Sequence, residues 1–207
     1  MKEKILFSIS QAVSATTQLQ KPASVHFILQ AAQMIASCYA QGKKVLIAGN
    51  GGSLCDAAHF AEEMTGIFRK PRRALPAIAI NDPGHLTCVG NDLGFKYVFS
   101  RAIEAFGVEG DCFIGLTTSG RSENLDLAFQ AAKAGGLNTI AFLGRGGGRL
   151  KGVADLEWII DGFATSDRIQ EVHMTAIHII IEIVEEYLFY SDEQIPSFEN
   201  AAAAALR

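Results

Sequence analysis

The sequence predicts an α/β fold, a doubly wound parallel sheet with helices on both faces. Three observations predict it. Strand-like and helix-like segments alternate along nearly the whole chain. The strand-like segments are continuous apolar runs, as in sheets buried on both faces. The first of them leads straight into Gly49-Asn50-Gly51-Gly52-Ser53, whose glycines let the backbone turn sharply from strand into helix.

Taken in order, apolar positions at helical spacing run from about Ile5 to Leu19 and from Val25 to Tyr39, with Lys21-Pro22-Ala23-Ser24 as the break between two helices. Lys44-Val45-Leu46-Ile47-Ala48 is the first strand, and Leu54 to Ile67 the helix after it, with Ser53 as N-cap. Ala77-Ile78-Ala79-Ile80 is the second strand, closed by a turn signal at Asn81-Asp82-Pro83-Gly84. Phe95 to Phe106 reads as helix, Cys112 to Thr117 as the third strand, Glu123 to Ala134 as helix and Thr139 to Leu143 as the fourth strand. Leu156 to Ile160 is the fifth, and Arg168 to Phe189 a final helix of about five to six turns. Such a sheet carries its site at the carboxyl ends of the strands.

The 207 residues, 49% hydrophobic and 19% charged, suffice for one substantial core and one domain. Its parts are N-terminal helices over 1–42, an α/β core over 43–190 and a tail over 191–207. A net charge of −4 and a pI near 5.7 argue against nucleic acid as partner. Arg69-Lys70-Pro71-Arg72-Arg73 is too short to overturn that and reads as a solvated loop. Cys38, Cys55, Cys88 and Cys112 form no C-x-x-C pair, and three sit in apolar surroundings, as reduced core thiols do. Met1 to Phe7 lacks the features of a signal peptide, and no apolar run nears the roughly 18 residues of a membrane span. A cytoplasmic protein is expected. The alanine-rich end, Ala201 to Arg207, reads as a frayed helix or a cloning scar, and no internal repeat is present.

Two loops suit an anion. After the first strand, the glycine loop leaves amides at a helix N-terminus. After the third, Thr117-Thr118-Ser119-Gly120-Arg121-Ser122 sets four hydroxyls and a cation before a helix, with Ser122 as cap and Ser119 and Thr117 as donors to phosphate oxygens. Either loop alone reads as ordinary capping; both in one sheet read as a phosphate site.

His59 and Glu63, four apart on a helix, share a face about 6 Å apart and can grip one metal ion, with Asp56 placed to orient the imidazole. For an isolated pair the plain reading is a solvated surface contact; the neighbouring anion loop favours a ligand pair. His178 interrupts an apolar run of the last helix and needs a partner. His173 lies about 140° around that helix from His178, so the two cannot face one site. His26 and His85 read as structural or exposed.

Together with Cys55-Asp56, His59-Phe60-Ala61-Glu62-Glu63, Gly90-Asn91-Asp92, Thr118-Ser119-Gly120 and Asp167-Arg168-Ile169-Gln170-Glu171, these motifs make nearly the whole chain similar to the phosphoheptose isomerases of the sugar isomerase (SIS) domain family. The resemblance implies a flavodoxin- or Rossmann-like three-layer αβα sandwich on a five-stranded parallel sheet, assembled as a homotetramer with the N-terminal helices at its contacts. It implies one Zn²⁺ per subunit held by His59, Glu63, Gln170 and His178, with Glu63 and His178 also as base and acid. The substrate contacts it implies are Asn50, Gly51, Gly52, Ser53, Asn91, Asp92, Thr117, Thr118, Ser119, Ser122 and Gln170. The implied reaction takes sedoheptulose 7-phosphate to D-glycero-D-manno-heptose 7-phosphate through an enediol, a first step toward nucleotide-activated heptose, for lipopolysaccharide or another glycan.

Three positions depart from the family pattern. Leu54 replaces a histidine, Arg121 an asparagine and Thr117 a serine, which bears on the substrate more than on the reaction class. Gln170 and His178 stand about 12 Å apart along a helix axis, so they reach one ion only with extended side chains, or from two subunits. The rival readings are a non-catalytic phosphosugar- or protein-binding SIS regulator, which the retained His59, Glu63 and His178 oppose, and an isomerase of another sugar phosphate.

Overall fold

Apolar β-branched and aromatic runs do form the sheet. A computed structural model, describing residues 1–191, has five parallel strands: β1 (Val45–Gly49), β2 (Ala77–Ala79), β3 (Cys112–Thr117), β4 (Asn138–Gly144) and β5 (Leu156–Ile160), in the order β2-β1-β3-β4-β5. Register is set by Val45 opposite both Ala77 and Cys112, Cys112 opposite Asn138, and Ile140 opposite Leu156. The helices are α1 (Lys2–Thr17), α2 (Pro22–Ala40), α3 (Gly52–Thr65), α4 (Pro83–Asp92), α5 (Val98–Phe106), α6 (Glu123–Ala134) and α7 (Ser166–Glu185), the last continuing through one π turn to Tyr190. The tail beyond residue 191, with its alanine run, lies outside the described residues.

Side chains alternate across the strands into two cores, giving three layers. Val45, Ile47, Ile114, Phe142 and Trp158 pack against α2, α3 and α7. Leu46, Ala48, Phe113, Ala141 and Leu143 pack against α5 and α6. α1 lies outside α7 and keeps Ile5, Ile9 and Val13 exposed. Among the described residues no helix is long and apolar enough to cross a membrane.

Several expectations change. Pro22 is not a break but the first residue of α2, where its missing N–H costs nothing; the interruption is a 3₁₀ turn at Gln18–Gln20 followed by Lys21. The turn signal at Asn81–Gly84 starts a helix instead. Asp82 caps it by accepting from the His85 amide at 2.7 Å, and Pro83 occupies its first position, so cap and turn chemistry coincide here. Phe95–Tyr97 is a 3₁₀ turn ahead of α5. Two cysteines are buried rather than three, Cys38 and Cys112; Cys55 and Cys88 are exposed, and all four are free. The basic segment is not a solvated loop throughout, for Arg72 is buried against Glu185.

Candidate active site

The glycine loop turns at Gly51, whose φ of 57° and ψ of −123° suit glycine and little else. Because Gly51 already makes the turn, it is the N-cap, and Ser53 is not: it lies buried inside the first turn of α3. Asn50 pairs both ways with Asn124 at the start of α6, at 3.0 and 2.9 Å, stapling the glycine loop to the hydroxyl loop. Asn124 had no signal in the sequence beyond being an asparagine in a helix's first turn; only the pairing of β1 with β3 sets it opposite Asn50.

Thr117 organises the second loop. Its hydroxyl accepts from the amides of Ser119 at 3.3 Å and Gly120 at 3.2 Å, and stands 3.5 Å from the hydroxyls of Ser119 and Ser122. Ser122 holds the cap position of α6 but bonds no helix amide, so no side chain caps that N-terminus. Thr118 is 3.0 Å from the Ser166 hydroxyl and accepts from the Arg145 guanidinium at 3.1 Å. Between the loops opens a cleft of about 530 Å³, lined by Asn50, Gly51, Phe95, Lys96, Ser122, Glu123 and Asn124. Lys96 gives it a cation that the sequence reading did not single out. Asn91 and Asp92, the exposed last residues of α4, bond each other at 2.8 Å and do not line this cleft.

Further along α3 a second cluster forms. His59 and Glu63 meet His178 of α7, and one ligand atom from each lies within 4.8 Å of the others. His59 Nε2 is 3.3 Å from Glu63 Oε1 and 3.6 Å from Glu62. The rings of His59 and His178 meet edge to face at 5.0 Å, and Phe68 stacks on His178 at 5.7 Å. Partial burial, with the charge of His59 beside it, holds His178 below the usual imidazole pKa, while Glu63 opposes. A neutral imidazole is the form that ligates metals or takes up a proton. Two imidazoles and a carboxylate converging from two helices fit a borderline-soft divalent cation, with positions left for further ligands.

Asp56 does not orient His59 here. Its Oδ2 is buried without a partner, and burial pushes its carboxyl up to about 6, the charge of His59 acting against that. Gln170 lies against Gly52 and donates to Ser53 Oγ at 3.5 Å, roughly two turns of α7 before His178. His173 and His178 do face different sites, and His173 faces the sheet: its Nε2 bonds the Leu143 carbonyl at 3.2 Å, Phe142 and Trp158 flank it, and burial lowers its pKa to about 4. His85 bonds the Val98 carbonyl at 2.8 Å and His26 is exposed.

The SIS domain model matches residues 10–144. A phosphoheptose isomerase of Fusobacterium nucleatum is 61% identical over 158 residues, 76% of this chain and 81% of that protein. One of Vibrio cholerae is 52% identical over 181 residues, 86% of this chain and 95% of that protein. The chain belongs to the phosphoheptose isomerase family. The solved phosphoheptose isomerase of Francisella tularensis superposes with a TM-score of 0.84 at 33% identity, over 89% of this chain and 97% of that one. The SIS match spans β1 to β4, both anion loops and the His59–Glu63 pair of this phosphoheptose isomerase family member.

Proposed function

We infer that the chain is an aldose–ketose isomerase that interconverts sedoheptulose 7-phosphate and D-glycero-D-manno-heptose 7-phosphate through an enediol. The observation that carries this is the meeting of His59, Glu63 and His178 on helices that start beside the two anion loops. His59 is seven residues after Gly52, about 10 Å along α3. An extended seven-carbon chain with a phosphate at one end and its reacting carbons at the other bridges a gap of that order.

In this reading the hydroxyls of Thr118, Ser119 and Ser122, with Asn50, Gly51, Gly52, Ser53 and Thr117 around them, hold the phosphate end. Binding there is spent on orienting the distant carbons. Glu63 takes the proton from C1 of the ketose and returns it at C2, while His178 moves a proton at the neighbouring oxygen. One zinc ion per subunit would be held by His59, Glu63 and His178 with Gln170 as a further ligand, and would polarise the substrate oxygen. Because a carboxylate gripped by a cation is a poor base, Glu63 would have to loosen from the ion to act as base. Asn91 and Asp92 contact substrate from the end of α4.

The exposed Ile5, Ile9 and Val13 of α1 support a homotetramer. One SIS domain with helices over 1–42 and a core over 43–190, in the cytoplasm, completes the reading. The gathered trio weighs against a non-catalytic regulator. The test is turnover of sedoheptulose 7-phosphate after chelation and zinc add-back. Zinc-restored activity in wild type, absent in Glu63→Gln, is expected; inactivity with zinc bound would point to another sugar phosphate, and lack of zinc binding to a regulator.

A further inference from the structure

A helix leaves the carbonyls of its last turn without partners. At the end of α3, Arg72 supplies them from seven residues downstream. Its Nη2 donates to the Glu63 carbonyl at 2.7 Å, and its Nη1 to those of Met64 at 2.8 Å, Gly66 at 2.9 Å and Arg73 at 3.1 Å. Its Nε donates to Glu185 Oε1 of α7 at 2.6 Å. The Arg72 and Glu185 side chains are only 1% and 4% exposed. A charge buried this deeply persists only when its hydrogen bonds are filled, and the planar guanidinium fills them in several directions at once.

The two helices joined in this way are those that carry the trio. His178, Glu182 and Glu185 fall at i, i+4 and i+7 on one face of α7. Arg69 pairs with Glu182 and Phe68 stacks on His178, so the segment after α3 straps the same face along its length.

We propose that Arg72 is a positioning residue: by binding the Glu63 carbonyl and the Glu185 carboxylate it fixes the spacing of α3 and α7, and with it the distance at which His59, Glu63 and His178 meet. The inference rests on the metal reading given above. It reaches no reacting atom. A clamp that served stability alone would leave the metal site of a folded variant unchanged.

The test is zinc affinity by competition with a chromophoric chelator, together with the visible absorption of the Co²⁺-loaded protein, which reports coordination geometry. Arg72→Lys keeps the charge for Glu185 but cannot span the carbonyls. Arg72→Met with Glu185→Leu removes both charges, a change that folded proteins tolerate better than removing one. Both variants are expected to lose about 10- to 100-fold in zinc affinity and to alter the Co²⁺ bands. Glu185→Gln keeps an acceptor for Arg72 and should retain most of the affinity. Folded Arg72 variants with wild-type affinity and bands would overturn the proposal. Zinc binding by His59→Ala as tight as by wild type would instead sink the metal reading, and this proposal with it.

Discussion

The loop after β3 and the seam between α3 and α7 are built in opposite ways. The loop closes largely on itself: Thr117 accepts two amides within three residues and Ser119 accepts from the Arg121 amide at 3.3 Å, while Arg145, Ser166, the Leu150 amide and the Gly147 backbone meet it from elsewhere. The seam has one polar contact within its trio, the 3.3 Å approach of His59 to Glu63. Its geometry is imposed from outside, by the packing of two helices and by Arg72. On the proposed reading, anion holding is therefore a local property of this chain, and gathering the trio a tertiary one. Damage to the loop should appear in binding or in local stability, whereas damage to the seam should appear in turnover.

The largest effect expected is from Glu63→Gln, which keeps size and removes the proposed base. A positioned acid–base group contributes about 10²–10⁴ in rate, so kcat should fall by that factor while KM, set by the untouched loop, stays within a few-fold. Steady-state kinetics decide it: a fall below tenfold would put the base elsewhere. Next comes Gly120→Ala on the loop side. Gly120 has a φ of 61°, and a methyl group there would run into the Gly147 carbonyl. Strain and clash together should cost about 2–4 kcal/mol, read by denaturant unfolding. Wild-type stability would mean that the loop after β3 and the Gly147 segment after β4 are not interlocked.

Much of this was legible in the sequence because the signals are local. β3, β5 and α6 have the boundaries that apolar runs and the Ser122 cap position indicated. Both anion loops and the His59–Glu63 pair follow from spacing along one element. What the sequence hid depends on packing between elements. Asn124 matters only because β3 lies beside β1, Arg72 only because α7 brings Glu185 to it, and Lys96 only because the 3₁₀ turn before α5 faces the glycine loop. The helix α4 was hidden differently, since an Asp-Pro-Gly run caps a helix as readily as it makes a turn.

A smaller change sharpens the loop's side of the contrast. Ser119→Ala leaves the Thr117 scaffold in place and removes one hydroxyl facing the phosphate end. Hydrogen bonds to charged groups are worth about 1.5–3 kcal/mol, so KM should rise about 10- to 100-fold with kcat nearly unchanged. A matching drop in kcat alone would mean that Ser119 acts at the reacting carbons and not at the phosphate.

The smallest effect separates the two faces of α7. His178 faces α3 and meets His59 and Glu63; His173, five residues earlier, faces the sheet and is held at about 4 by burial. The unfolded chain takes up this proton near pH 6.5, whereas the folded one resists until about pH 4. Between those values the unfolded state binds more protons, so stability falls as pH falls, by about 1 kcal/mol at pH 5.5. His173→Gln keeps a donor for the Leu143 carbonyl and removes the titration. Its packing loss lowers stability at every pH, but the wild-type-minus-variant difference should shrink by about 1 kcal/mol between pH 7.5 and 5.5. A difference that stays flat over that range would mean that His173 is already free to take its proton in the folded chain, and that this face of α7 is as open as the face bearing His178.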